Sequence, residues 1–117
     1  MLKFYCYPKC STCKKAQKWL EEHEVAYTYY DIVTQTPSAN EIKAILTKGT
    51  HPLKYYFNTS GQHYREQNLK ERLAEMDIDE ISQLLSQDGM LLKRPLLIDD
   101  NEVICGFKEN IYQSELL

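Results

Sequence analysis

Leu2–Tyr7 is rich in aromatics and alternates well enough to predict a short strand, and Pro8 ends it. From Ser11 to about Glu24 the period lengthens. Cys13, Ala16, Gln17 and Leu20 fall on one stripe of a helix, while Lys15, Lys18 and Glu22 face water. Val25–Val33, with Tyr27, Tyr29, Tyr30 and Ile32, reads as a second strand. Strand, helix and strand in so short a span make a βαβ unit, which is expected to be parallel and right-handed.

The middle of the chain carries helical signals. Ser38 and Glu41 have the spacing of a capping box ahead of a buried face at Ile42, Ile45 and Leu46, and Gly49 is a natural stop. Leu53–Phe57 predicts a short helix ended by the turn cluster Asn58-Thr59-Ser60-Gly61. Leu69, Leu73 and Met76 point to another helix. Asp77 and Glu80 repeat the capping spacing before Ile81, Leu84 and Leu85, and Asp88-Gly89 closes that segment.

In the last third the period returns to two. Arg94–Ile98, the polar turn Asp99–Glu102 and Val103–Phe107 read as a β-hairpin, with a short helix around Asn110–Leu116 to cover it. Pro95 at the mouth of a strand marks an edge or first position. The whole order predicts a mixed sheet with helices packed on it.

Composition narrows this picture modestly. A chain of 117 residues fits one domain, and 43% hydrophobic with 26% charged residues is ordinary for a globular protein. A formal net charge of −3 provides no basic footprint, so no direct nucleic-acid binding is expected. No targeting signal is visible and no apolar run approaches membrane-spanning length, so the expected location is cytoplasmic, without a membrane partner. In that reducing compartment a close cysteine pair reads as catalytic, sensing or metal-binding.

That pair is Cys10-Ser11-Thr12-Cys13. Cys10 falls at the end of a strand-to-helix loop, where the unpaired N–H groups and the dipole of the helix favour a thiolate; Lys9, Lys14 and Lys15 add positive charge. Cys13 lies one turn later on the same side and can attack a mixed disulfide formed on Cys10. Cys10 is therefore the exposed nucleophile and Cys13 the sheltered resolving thiol, the two forming a redox-active disulfide. A zinc site would need a second pair, but only Cys6, Cys105 and three scattered histidines remain, so no metal is expected. Cys6, Cys10 and Cys13 also have an iron–sulfur spacing, yet that chemistry needs a far longer barrel. Cys6 and Cys105 read instead as small apolar strand residues, and the pair itself as two ordinary thiols is disfavoured by the flanking lysines. The tyrosines are expected to pack sheet and helix faces.

Tyr7–Ala16 followed by Trp19-Leu20-Glu21-Glu22-His23, together with Asp88–Leu96 and Gly106-Phe107-Lys108, resembles the thioredoxin-fold group of ArsC-type arsenate reductases and Spx transcriptional regulators. The resemblance implies an α/β fold: a thioredoxin-like mixed sheet with a helical insertion, about residues 38–87, between the N-terminal βαβ unit and the C-terminal hairpin, all in a single domain over 1–117. It implies that Pro95 is a cis-proline facing the cysteines and that Arg94 lies beside the Cys10 sulfur, where a guanidinium can hold a thiolate or an oxyanion. Ser11, Thr12, Pro95 and Lys108 are then expected to line the substrate or thiolate pocket.

The chain also departs from the reductases. These bind their oxyanion with several arginines, whereas here Lys108 occupies the place of the later one and Asn58–Gly61 contains none. Lysine is a poorer bidentate clamp. The intact Cys-x-x-Cys resembles Spx, and Gly49 matches the glycine at the Spx surface that meets the carboxy-terminal domain of the RNA polymerase α-subunit. Two functions are thus expected. One is a thiol–disulfide oxidoreductase of arsenate reductase type, with no bound cofactor and with glutathione, glutaredoxin or thioredoxin as electron donor. The other is a redox-sensing regulator that binds the RNA polymerase α-subunit.

Overall fold

The computed structural model describes residues 2–99 and 103–117, and its first element is the strand β1 (Leu2–Cys6) that the alternation predicts. Leu2, Phe4 and Cys6 share one face of β1 and belong to one buried cluster. Helix α1 (Ser11–Glu22) brings Cys13, Ala16, Trp19 and Leu20 to that cluster. It stops two residues earlier than the periodicity suggests, because Glu24 turns into the left-handed region (φ 56°) and the Val25 N–H bonds back to the Leu20 carbonyl at 2.9 Å. Val25 is thereby spent on the helix end, and the second strand, β2, is shortened to Tyr27–Asp31.

Strands β3 (Leu96–Ile98) and β4 (Val103–Cys105) complete a four-stranded sheet in the order β2-β1-β3-β4. β1 is parallel to β2, with Phe4 opposite Tyr29, and antiparallel to β3, with Phe4 opposite Leu97. The predicted mixed sheet is therefore present. β3 starts after Pro95, which has no N–H to give to a ladder. The predicted turn at Asp100-Asn101-Glu102 lies outside the described residues. Helix α6 (Glu109–Leu116) places Tyr112 in the cluster that holds Leu97 and Ile104, so it covers the hairpin as expected. The Tyr112 hydroxyl donates to the Gly106 carbonyl at 2.8 Å, which satisfies a buried polar atom.

The chain divides into two compact units: the sheet unit, up to Asp31 and from Arg94 onward, and a helical unit, Ile32–Lys93. The expected insertion, residues 38–87, falls inside the second. There, helix α2 (Ala39–Lys48) starts at Ser38, whose hydroxyl accepts from the Glu41 N–H, and ends at Gly49 in the left-handed conformation that glycine adopts without penalty. A 3-10 turn covers Leu53–Tyr56, and Asn58–Gly61 turns as predicted, with the Gly61 N–H on the Asn58 carbonyl. Helix α3 (Gln62–Glu66) was not legible in the pattern, since only Tyr64 on it is buried. Helix α4 (Leu69–Arg72) passes into a 3-10 turn, Leu73–Glu75. Helix α5 (Ile78–Gln87) opens with a complete capping box between Asp77 and Glu80. α5 packs on α2, with Lys43 and Asp79 joined at 2.7 Å across their exposed edges.

Gly89 marks the tightest backbone approach in this unit. A Cβ there would lie 1.9 Å from the Ile32 carbonyl oxygen. Gly89→Ala is expected to destabilise the protein by about 1–3 kcal/mol, since backbone rather than a side chain must yield. Chemical denaturation would register this as a lower midpoint, and an unchanged midpoint would show that the contact relaxes freely.

Candidate functional site: a cysteine cluster at the junction of β1 and α1

The loop Tyr7–Cys10 carries the chain from the end of β1 into α1, and the Cys10 N–H bonds back to the Tyr7 carbonyl at 2.9 Å. Cys10 is the N-cap of α1, with extended backbone (φ −88°, ψ 120°), and its own carbonyl accepts from the Lys14 N–H. A serine, threonine or aspartate at such a position would cap the helix with its side chain; Cys10 makes no such bond. No acidic side chain occupies the first turn, and Lys14 and Lys15 follow at its end. Helix propensity alone would reverse these choices, because cations near the amino end oppose the macrodipole. The arrangement suits a negative charge arriving from outside the helix.

Cys10 is half-buried and packs against the sheet unit's apolar cluster, while Ser11 and Thr12 are exposed on the first turn. Cys13 is buried, as the depth argument requires. The expected Cys10–Cys13 disulfide, however, is not the one present: Cys13 is bonded to Cys6, and Cys10 retains its thiol. The alternation along β1 explains this. Cys6 follows Leu2 and Phe4 on the face covered by α1, and Cys13 starts the helix stripe that covers it. Their Cα atoms are 5.8 Å apart, within bridging range. Reading Cys6 as an apolar filler was therefore incomplete. The two signals that could have identified it were its parity with Phe4 and the position of Cys13 at the head of the buried stripe. Cys105 is buried on β4, outside any disulfide.

The Arg94–Pro95 peptide bond is cis, as the resemblance implies. The Arg94 guanidinium carbon lies 5.4 Å over the Tyr7 ring, three residues before Cys10, in a cation–π arrangement. Pro95 is buried, and its carbonyl accepts the Gly106 N–H at 2.8 Å, which ties the Gly106-Phe107-Lys108 segment to the mouth of β3. Lys108 is exposed at the amino end of α6. The structure thus joins Arg94 to the loop before Cys10 and joins Pro95 to Gly106.

An open cleft of about 330 Å³ borders the disulfide, lined by Cys6, Tyr7, Cys13, Lys14, Gln17 and Tyr29 among others. Gln17 donates to the Tyr27 hydroxyl at 3.0 Å, which holds one wall. The Tyr29 hydroxyl titrates above the ordinary tyrosine range: partial burial is the main cause, and the Asp31 carboxylate and Tyr27 add to it by opposing a second negative charge. Among the described residues no cluster of histidine, cysteine or carboxylate side chains could hold a metal, and no helix is long and apolar enough to cross a membrane.

A model of the ArsC family matches residues 5–114. The protein YusI of Bacillus subtilis (strain 168) is 53% identical over 112 residues, spanning 96% of this chain and 95% of its own length. The global transcriptional regulator Spx of Enterococcus faecalis (strain ATCC 700802 / V583) is 30% identical over 110 residues, which span 94% of this chain and 82% of the regulator. A crystal structure of a possible arsenate reductase from Streptococcus mutans UA159 matches with a TM-score of 0.88 at 43% identity, over 92% of both chains. The mixed sheet with its helices is the thioredoxin-like architecture of these proteins.

Removing the Asp31 charge tests the electrostatics of the cleft. In Asp31→Asn, Tyr29 is expected to ionise at lower pH than in the parent, as followed by NMR of labelled tyrosine rings. It should remain above the ordinary range, because burial persists. An unchanged titration would show that Asp31 does not act on the cleft.

Proposed function

The chain belongs to the ArsC family, and from that premise we propose that it is a thiol–disulfide redox protein in which Cys10 attacks and Cys13 resolves. The observation that carries this reading is the difference in depth between the two cysteines on one helix turn. Cys10 is a half-buried thiol at the amino end of α1; Cys13 is buried and already engaged in a disulfide. A disulfide substrate meets the Cys10 thiolate first and releases one thiolate; Cys13, in its reduced form, then attacks the Cys10 sulfur and displaces the second thiolate, closing a Cys10–Cys13 disulfide. Arg94, held over Tyr7, supplies positive charge to the incoming group.

The redox class of the donor follows from this chemistry: a thiol reductant such as glutathione, glutaredoxin or thioredoxin, in a reducing cytoplasm. Arsenate reduction is the version favoured by the Streptococcus mutans relative. Lysine at position 108 weighs against it, since the bidentate clamp of an arginine is lacking there.

Blocking resolution tests the assigned roles. Cys13→Ser is expected to accumulate mixed disulfides on Cys10 when exposed to a disulfide substrate, and Cys10→Ser to accumulate none, as read by intact-mass measurement. Equal trapping by both variants would reverse or abolish the assignment.

A second reading is supported by the Spx relative, a transcriptional regulator. Here oxidation of the cysteines controls binding to the carboxy-terminal domain of the RNA polymerase α-subunit. Gly49, the residue matched to that surface, is exposed at the carboxyl end of α2. The isolated polymerase domain is expected to retain the protein in one redox state and release it in the other. Absence of retention in both states would remove this reading.

A further inference from the structure

The disulfide partner of Cys13 raises a question that a two-cysteine cycle does not answer, namely what Cys6 is for. Cys6 and Cys13 are both almost fully buried, at 1% and 3% exposure, in the cluster against which Cys10 packs. Cys13 has a cysteine on either side, one along the chain and one across the fold. Cys10 precedes it by one helix turn, and Cys6 faces it from β1 with Cα atoms 5.8 Å apart. Cys10 is the half-buried member of the three. Cys13 therefore stands between half-buried Cys10 along the chain and buried Cys6 across the fold.

We infer that Cys6 is a second resolving thiol, and that the two cysteines of the helix pass their oxidation inward to a sheltered Cys6–Cys13 disulfide. This rests on the proposed attack by Cys10. The Cys10 thiolate attacks a disulfide R–S–S–R, forming Cys10–S–S–R and releasing one thiolate. Cys13 then displaces the second R–S⁻ and forms Cys10–S–S–Cys13. Cys6, after losing its proton to solvent, attacks the Cys13 sulfur and expels Cys10 as thiolate. In sum, one R–S–S–R is reduced to two R–SH while Cys6 and Cys13 are oxidised, and Cys10 is regenerated. The departing Cys10 sulfur leaves at the amino end of α1, where negative charge is favoured.

The arrangement has a functional consequence. With the oxidation stored at Cys6–Cys13, Cys10 is again a thiol and can take a second substrate while the first oxidising equivalent is still held. Burial shields the stored disulfide from large reductants. Electrons return by the reverse exchange through Cys10, or from a thiol small enough to enter the bordering cleft.

Tryptic cleavage at Lys3, Lys9 and Lys14 separates the alternatives cleanly. Cys6 then lies on the peptide Phe4–Lys9, whereas Cys10 and Cys13 share the peptide Cys10–Lys14. The reduced full-length protein is mixed with one equivalent of oxidised glutathione, acid-quenched at intervals, alkylated and mapped by mass spectrometry. The expected course is an early disulfide within Cys10–Lys14 that gives way to a cross-link between the two peptides, with Cys10 alkylated. Cys10→Ser should form that cross-link at least about tenfold more slowly, since only the less accessible thiols remain. Cys6→Ala should stop at the internal disulfide. A wild-type endpoint of Cys10–Cys13, with Cys6 alkylated, overturns the relay. So does a cross-link formed as fast in Cys10→Ser as in the parent. Failure of Cys13→Ser to trap an adduct on Cys10 instead overturns the proposed redox function beneath it, and the relay with it.

Discussion

Helix α1 can lie on β1 because the residues alternating inward along the strand, Leu2, Phe4 and Cys6, meet the helix stripe that begins at Cys13 and runs through Ala16 and Leu20. This contact fixes the rest of the sheet unit. β1 is central, so its register with β2 and β3 orients both neighbours, and Tyr112 on α6 closes the same cluster from the hairpin side. Burial of side chains of this size contributes about 1.5–3 kcal/mol each, far more than any exposed ion pair of the molecule. The same contact brings two sulfur atoms together at the point where strand hands over to helix.

What function the site can perform follows from a conflict between local rules. A helix start without a side-chain cap, with no carboxylate in its first turn and two lysines close behind, is a poor helix start. On the proposed reading, this is where the attacking sulfur meets its oxidised partner. The two ten-residue helices of the other unit, α2 and α5, by contrast keep side-chain caps at Ser38 and Asp77. Arg94 and Tyr7 add a fixed positive group beside the loop.

Much of this was legible in the residue order. The strand at Leu2–Cys6, the caps at Ser38 and Asp77, the glycine stop at Gly49 and the final helix are local signals, and each appears within a residue or two of its expected place. The departures arise where tertiary structure decides. β2 lost its first residues because Val25 closes the end of α1, and α3 carries too little apolar surface to show a period. The site was legible in part. The depth of Cys10 and Cys13 could be read from the stripe, but the disulfide partner of Cys13 depends on which face of β1 meets the helix, a property of the fold rather than of the Cys-x-x-Cys motif. Tyr29 and Gln17 enter the cleft for the same reason.

Reversible thiol chemistry at the β1–α1 junction can be read from a redox titration of the full-length protein. Trp19, buried in the cluster that holds Cys6 and Cys13, provides the optical signal, and thiol counting supplies the stoichiometry. A single reversible transition is expected, in which two thiols disappear on oxidation and return on reduction, with the fluorescence change following the same curve. An unchanged thiol count across the range spanned by glutathione and thioredoxin couples would contradict it.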